Sequence, residues 1–105
     1  MLTQSFVIDT VRNYAREIRD AGVNLRKVIL YGSFAKGTQH EWSDIDVALV
    51  ADEFTGFAFD DYDLFPHVSI KNPYMWIEPR TYPTDYFIES DPFIEEIKKT
   101  GIEII

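Results

Sequence analysis

Two aspartates separated by one residue, Asp44 and Asp46, point most directly to chemistry in this chain. Because side chains of a strand alternate between faces, the two carboxylates would share one face, with Cα atoms roughly 7 Å apart. Residues 47–50 are all apolar, which predicts a strand buried on both faces. Two like charges at the mouth of such a strand repel each other and lose hydration. A divalent cation that prefers oxygen ligands, such as Mg²⁺, would compensate them.

A glycine-bounded turn upstream could hold phosphate. Residues 28–31 indicate a buried strand, and Gly32-Ser33 ends it where the backbone must bend tightly. The segment 33–37 is predicted to open a helix, whose free N–H groups and positive dipole end favour an anion. Ser33 adds a hydroxyl donor, and Lys36 either adds a positive charge or is a flexible surface lysine. Phosphate donors beside metal-binding carboxylates are what a metal–nucleoside triphosphate requires.

The spacing of these residues resembles a known family. Gly32-Ser33, ten intervening residues and Asp44-Ile45-Asp46 match the signature of the minimal nucleotidyltransferases in the DNA polymerase β superfamily. Either pair alone would mean little, but the two joined at this spacing, each on its own predicted strand, form a fairly specific signal. The resemblance covers nearly the whole chain and implies a nucleotidyltransferase-like fold.

The family pattern also has a third acidic residue on a neighbouring strand, and Glu78 is the best match. Residues 74–78 predict a strand that is stopped by Pro79. A carboxylate there could deprotonate the attacking hydroxyl or complete the ligands of a second metal ion. The alternative is a strand-end glutamate that faces water. Asp85 is the substitute candidate, although it fits better in the first turn of a helix beginning near Thr84.

The activity that the resemblance implies is nucleotidyl transfer. Three carboxylates, Asp44, Asp46 and Glu78, would hold two Mg²⁺ ions and orient ATP. An acceptor hydroxyl would then attack the α-phosphate, and pyrophosphate would leave. The turn at Gly32 and Ser33 would hold the terminal phosphates.

The resemblance also suggests the acceptor, which composition does not. Small stand-alone members of this family are often paired with a HEPN-domain protein in toxin–antitoxin systems. In these systems the nucleotidyltransferase modifies the toxin, typically by adding AMP to a tyrosine. The implied role is an antitoxin that can assemble with a HEPN-domain partner encoded nearby. Three alternatives stay open: an idle module that masks its partner, a magnesium-dependent nucleotide-binding protein without transfer activity, and an aminoglycoside-type nucleotidyltransferase.

Length and composition set the outer bounds. The 105 residues suffice for a single domain over 1–105, and a hydrophobic share of 46% argues for a folded globule. The formal charge of −8 argues against tight binding of nucleic acid, and it suits a metal–nucleotide enzyme or a basic protein partner. The chain has no cysteine. No segment suggests a membrane span or a signal peptide, so we expect a cytoplasmic protein.

Alternating helices and strands predict an α/β (α+β) domain, a small mixed β-sheet with helices packed against it and the site at one edge. The expected elements are a helix over 3–21 with Thr3 as its cap and Gly22 as its stop, strands over 26–31, 44–51 and 74–78, a short helix over 84–89, a helix from Pro92 to Gly101 capped by Asp91, and a final strand or tail over 102–105.

The segment 52–73 mixes acidic and aromatic residues, with a partly helical stretch around 60–66. Its acids are most simply a solvated face and its aromatics mostly core, although such a surface could also meet a partner protein. In the preceding polar loop, a single histidine such as His40 is more often solvated than catalytic. Trp42 either covers the nucleotide base or anchors the loop.

Overall fold

A four-stranded sheet forms the centre of the fold in this computed structural model, which describes residues 2–40, 43–88 and 91–105. In chain order the elements are α1 (Gln4–Asp20), β1 (Leu25–Tyr31), α2 (Ser33–Lys36), β2 (Ile45–Ala51), α3 (Ala58–Tyr62), α4 (Pro66–Ser69), β3 (Ile77–Pro83), α5 (Pro92–Thr100) and β4 (Ile102–Glu103).

The sheet is mixed, and its spatial order is β3-β2-β1-β4. The strand β1 runs antiparallel to both β2 and β4, whereas β2 and β3 are parallel. The predicted fold class, a small mixed sheet with helices packed against it, is therefore confirmed. Among the described residues, no helix has the length and apolar character needed to cross a membrane.

The strand β2 is buried on both faces, as its unbroken apolar run predicts. On one face Val47 and Leu49 join a core that includes residues of α1. On the other face Ala48 and Val50 pack with residues of α5. Because apolar surface is removed from water on both sides, β2 is held firmly, and its first residues reach the rim of the sheet.

Helix ends follow their local sequence signals. The Thr3 hydroxyl accepts a hydrogen bond from the Phe6 N–H at 3.1 Å, and Gly22, just after α1, has a φ of 106°. The Asp91 carboxylate accepts from the N–H of Phe93 at 2.9 Å, which caps α5. Both caps were predicted, because capping depends on residues close in sequence.

The strand predicted over 74–78 was wrong in its bounds. Residues Tyr74–Trp76 form a 3₁₀ turn, and β3 continues through Pro79 as far as Pro83. A proline is tolerated here because β3 is an edge strand, whose outer side has no neighbouring ladder. The Tyr62 hydroxyl donates to the Pro79 carbonyl at 2.9 Å and so joins α3 to this strand.

The prediction that the acids of 52–73 form a solvated face was wrong for Asp61, which is 1% exposed. Its carboxylate accepts from the Thr55 N–H at 2.8 Å, the Thr55 hydroxyl at 3.0 Å, the Gly56 N–H at 2.9 Å and the Thr81 hydroxyl at 2.6 Å. Four donors satisfy the buried charge. Asp61 thereby ties the loop before α3 to β3.

The aromatic side chains of the same segment divide between core and surface. Phe54 and Phe65 are buried, whereas Phe57 is 72% and Phe59 89% exposed. Two short helices replace the stretch predicted around 60–66, and Pro66 begins the second one. The short helix predicted over 84–89 is a 3₁₀ turn over Thr84–Tyr86, and position 89 lies outside the described residues.

Candidate active site

Asp46 and Glu78 are direct partners in the parallel register of β2 and β3. Neighbouring strands lie about 4.8 Å apart, and partner residues point to the same face. Both carboxylates therefore project from the sheet face that α5 covers further along. The structure thus places Glu78, the residue with the less certain assignment from sequence, beside Asp46.

The turn at Gly32 packs directly against Asp46. Gly32 has a φ of 76°, a region that favours glycine. A Cβ at this position would meet the Asp46 Oδ2 and would lie 3.3 Å from the Asp46 Cγ. The absence of a side chain lets the backbone approach the carboxylate. Tyr31, the residue before the turn, is the register partner of Asp46 on β1.

Asp44 lies one residue before β2 and is exposed. The predicted strand began at this residue, whereas β2 begins at Ile45. Its charge nevertheless acts on the Asp46 carboxyl. Asp44 is therefore placed at the rim of the site.

The site carries uncompensated negative charge. Burial raises the pKa of the Asp46 carboxyl above its ordinary value, and the charges of Asp44 and Glu78 raise it further. The Arg80 charge acts in the opposite direction without outweighing them. Like charges held together in this way are typical of sites that bind a cation or exchange a proton.

A cavity of about 370 Å³ opens beside these carboxylates. Its size falls in the range of small-molecule sites. It is lined by Tyr31, Asp46, Glu78, Pro79, Arg80 and Phe93.

Three of these lining residues were missed as candidates from the sequence: Tyr31, Arg80 and Phe93. The Arg80 guanidinium lies over the Phe93 ring at 4.9 Å from the centroid, and the Tyr31 and Phe93 rings meet edge to face at 5.8 Å. Phe93, in the first turn of α5, is 42% exposed. Strand alternation from Glu78 would have identified Arg80 if the strand had been continued past Pro79.

The other two predicted phosphate ligands, Ser33 and Lys36, are not among the residues that line the cavity. Ser33 begins α2, and its carbonyl accepts from the N–H groups of Gly37 and Thr38. Because α2 is a single turn, its summed dipole is small. The Lys36 ammonium lies 3.7 Å from a Glu96 carboxylate oxygen, and Lys36 is not among the cavity residues.

Two further sequence candidates stand apart from the cavity. Asp85 is exposed in the 3₁₀ turn that follows β3. Because this turn comes after the register pair of Ala51 and Pro83, Asp85 lies at the opposite end of β3 from Glu78. His40 is exposed, and its backbone N–H donates to the Ser43 hydroxyl at 2.9 Å. Trp42, which was expected to cover the nucleotide base or to anchor the loop, lies outside the described residues.

The carboxylates suit a cation that shares its ligands with a substrate. Within residues 2–40, 43–88 and 91–105, no three acidic or histidine side chains lie close enough to form a metal site by themselves. Mg²⁺ is commonly bound through one or two carboxylates together with substrate phosphates. The raised pKa of Asp46, which burial and the charges of Asp44 and Glu78 cause, fits that mode of binding.

The chain is similar to known proteins over most of its length. The family described as "Nucleotidyltransferase domain" matches residues 8–104, which include every site residue named above. A protein of Methanocaldococcus jannaschii, provisionally named a protein adenylyltransferase, is 30% identical over 90 residues. That alignment covers 71% of this chain and 89% of the relative. The chain therefore belongs to the nucleotidyltransferase domain family.

Proposed function

We propose that this nucleotidyltransferase moves AMP from ATP, with Mg²⁺, to a tyrosine hydroxyl on a HEPN-domain toxin encoded nearby, and that it acts as the antitoxin. The observation that carries the chemical part is that Asp46 and Glu78 line one cavity as register partners and that the Gly32 turn packs against Asp46. The provisional name of the M. jannaschii relative supports a protein as the acceptor. The pairing with a HEPN-domain protein follows from the resemblance in sequence pattern.

In the proposed reaction the acceptor oxygen attacks the α-phosphorus and a new phosphoester bond forms. The bond between the α-phosphorus and the bridging oxygen breaks, and pyrophosphate leaves. Glu78, on the edge strand, would accept the hydroxyl proton, either directly or through water. Asp46, its register partner, would help to orient the α-phosphate by holding a bound Mg²⁺.

Bound Mg²⁺ would neutralise charge that develops on the phosphate oxygens. Asp44 and Asp46 would hold it together with phosphate oxygens of the nucleotide, and Glu78 would act as the base. The Gly32-Ser33 turn would direct backbone N–H groups towards the terminal phosphates. A glycine at position 32 supports this role, because it keeps the turn close to the carboxylate.

The test is labelling of the partner. The chain is co-expressed with the protein encoded beside it, and the purified pair is incubated with ATP and Mg²⁺. We expect a mass increase equal to one or more AMP groups on a partner tyrosine, together with release of pyrophosphate. A partner of unchanged mass, with ATP intact, would rule out the transfer.

The matched control is the double variant Asp44→Asn with Asp46→Asn. It keeps the size of both side chains and removes their charge, so it should still bind the partner and should not label it. Loss of binding as well as labelling would show that the variant had lost more than its chemistry.

A second candidate function is neutralisation by masking alone. The observation in its favour is that Phe57, just before α3, and Phe59, on α3, are largely exposed near the acidic residues Asp60 and Asp63. Exposed aromatics flanked by acids suit a basic protein surface. If the uncharged double variant silences the partner as well as the wild type does, masking accounts for the biological role.

A further inference from the structure

Arg80 brings a positive charge into the candidate active site. Of the described residues that line the cavity, Arg80 alone is basic. It lies on β3 two residues after Glu78, on the same face, and it is the register partner of Ala48. The positive charge of Arg80 acts on the Asp46 carboxyl and on the Tyr31 hydroxyl. Burial and the charge of Asp46 raise the pKa of Tyr31 to about 12, and Arg80 offsets part of that rise.

The guanidinium is oriented by an aromatic ring. It stacks over Phe93 at 4.9 Å, and Phe93 is in turn held by the edge-to-face contact with Tyr31 at 5.8 Å. Stacking on a ring uses the face of a guanidinium and leaves the N–H donors along its edge available. Phe93 therefore orients the guanidinium without occupying its donors. Arg80 also hydrogen-bonds to the hydroxyls of Tyr31 and Tyr82, so a phosphate would take the remaining N–H donors of the fork.

The sequence had suggested Lys36 as the phosphate-binding cation, and the structure favours Arg80. The Lys36 ammonium is turned towards Glu96 on α5, whereas Arg80 lies at the carboxylate-lined cavity. A planar fork of donors also matches a phosphate better than a single ammonium does.

We propose that Arg80 binds a phosphate group of the nucleotide and that Phe93 is its positioning residue. The inference rests on the proposed function for the identity of the ligand as a nucleoside triphosphate. A cation at this place would balance part of the phosphate charge that the metal does not neutralise. It would also separate the nucleotide's phosphates from the carboxylate of Glu78.

The experiment measures dissociation constants for ATP and for inorganic triphosphate, each with Mg²⁺, and KM and kcat for partner labelling. We expect Arg80→Ala to weaken both ligands by about tenfold to a hundredfold. Arg80→Lys should recover only part of the loss, because it keeps the charge and loses the fork. The dissociation constants of Phe93→Leu should lie between those of Arg80→Ala and the wild type. Its KM for ATP should rise by a larger factor than its kcat falls.

The matched control is Arg26→Ala, which removes an exposed arginine paired with Asp52 at the other end of β1. It should leave both constants within about twofold of the wild type, as expected for a distant site. Thermal unfolding measurements check that every variant is folded. If Arg80→Ala does not fold, the ligand affinities of Arg80→Lys test the role of the guanidinium instead.

Ligand affinities for Arg80→Ala that equal those of the wild type would overturn the inference, and so would a wild type that binds neither ligand. A loss found for Lys36→Ala instead would overturn it in favour of the lysine. If binding depends on Arg80 but no partner is labelled, the inference stands and the proposed transfer fails. If labelling proceeds with an unchanged KM in Arg80→Ala, the transfer stands and the inference fails.

Discussion

The α-carbon of Gly32 lies against the carboxylate of Asp46, so that a methyl group added to the glycine would lie 3.3 Å from the Asp46 Cγ and closer still to one of its oxygens. This contact joins the phosphate-binding turn to the candidate metal ligand. It connects two motifs that are twelve positions apart in sequence but that lie on neighbouring strands.

Replacement of Gly32 by alanine should abolish activity because the new methyl group displaces the Asp46 carboxylate. Gly37→Ala is the control at a second glycine of positive φ. Gly37 has a φ of 74°, but a Cβ there meets no atom within 4 Å. Gly37→Ala should lose about 1–2 kcal/mol of stability from its left-handed backbone. Gly32→Ala should lose more, because Gly32 combines a φ of 76° with a ψ of −151°, a region that is essentially restricted to glycine. Urea unfolding and labelling assays would contradict the explanation if both variants lost activity equally.

Asp46→Asn should remove activity and raise the free energy of unfolding at pH 7. Because the folded-state pKa of Asp46 is raised above its unfolded value, the ionised carboxylate costs stability at neutral pH. The cost is absent below the unfolded pKa and grows as pH rises through the folded pKa. Chemical unfolding of both proteins at pH 7 and pH 4 tests this: the advantage of the variant should shrink at the lower pH.

Mg²⁺ with ATP should raise the melting temperature of the wild type and have little effect on Asp46→Asn. A ligand at one hundred times its dissociation constant adds about 2.7 kcal/mol to the stability of the folded state. Removal of the metal with a chelator should reverse the shift. Differential scanning fluorimetry measures it, and an equal shift in the two proteins would show that Asp46 does not hold the cation.

Asp61→Asn should destabilise the fold by about 1–3 kcal/mol at pH 7, since all four groups that contact the carboxylate are donors and an amide nitrogen cannot accept from them. Burial on its own raises the pKa of Asp61, but hydrogen bonds from Thr55, Thr81 and Gly56 outweigh it, so the pKa is lowered overall.

The lowered pKa sets the pH dependence of this effect. The stabilisation from ionised Asp61 is present above the unfolded pKa of about 3.9 and is lost as pH falls through the lower folded value. The difference between the wild type and Asp61→Asn should therefore narrow in acid. Asp60→Asn, one residue earlier and exposed, is the control and should change the unfolding free energy by less than about 0.5 kcal/mol.

Gly101→Ala should destabilise the protein although its backbone is not strained. Gly101 has a φ of −78°, but a Cβ there would lie 2.5 Å from the Ile29 Cγ2 and 2.5 Å from the Ile97 carbonyl. The Ile97 carbonyl belongs to α5 itself, and a backbone carbonyl cannot yield as a side chain can, so the backbone at the end of α5 would have to change its course. We expect a loss of about 1–3 kcal/mol in urea unfolding. A variant as stable as the wild type would show that the helix end adjusts freely.

Local sequence signals determined much of the fold. The caps at Thr3 and Asp91 depend on N–H groups two or three residues away, and burial of β2 on both faces follows from its unbroken apolar run. The spacing of Gly32-Ser33 and Asp44-x-Asp46 carries the resemblance to the nucleotidyltransferases, and that resemblance implied nucleotidyl transfer. These features could be predicted because their causes lie within a few residues of one another or in a pattern along one strand.

Tertiary structure alone decided the rest. The strand β3 runs through Pro79 because it lies at the edge of the sheet, and that continuation aligns Glu78 with Asp46 and brings Arg80 to the cavity. The burial of Asp61 depends on Thr81, twenty residues along the chain. A single sequence does not show which strand will be an edge or which donors will converge, because both are set by contacts between segments distant in the chain.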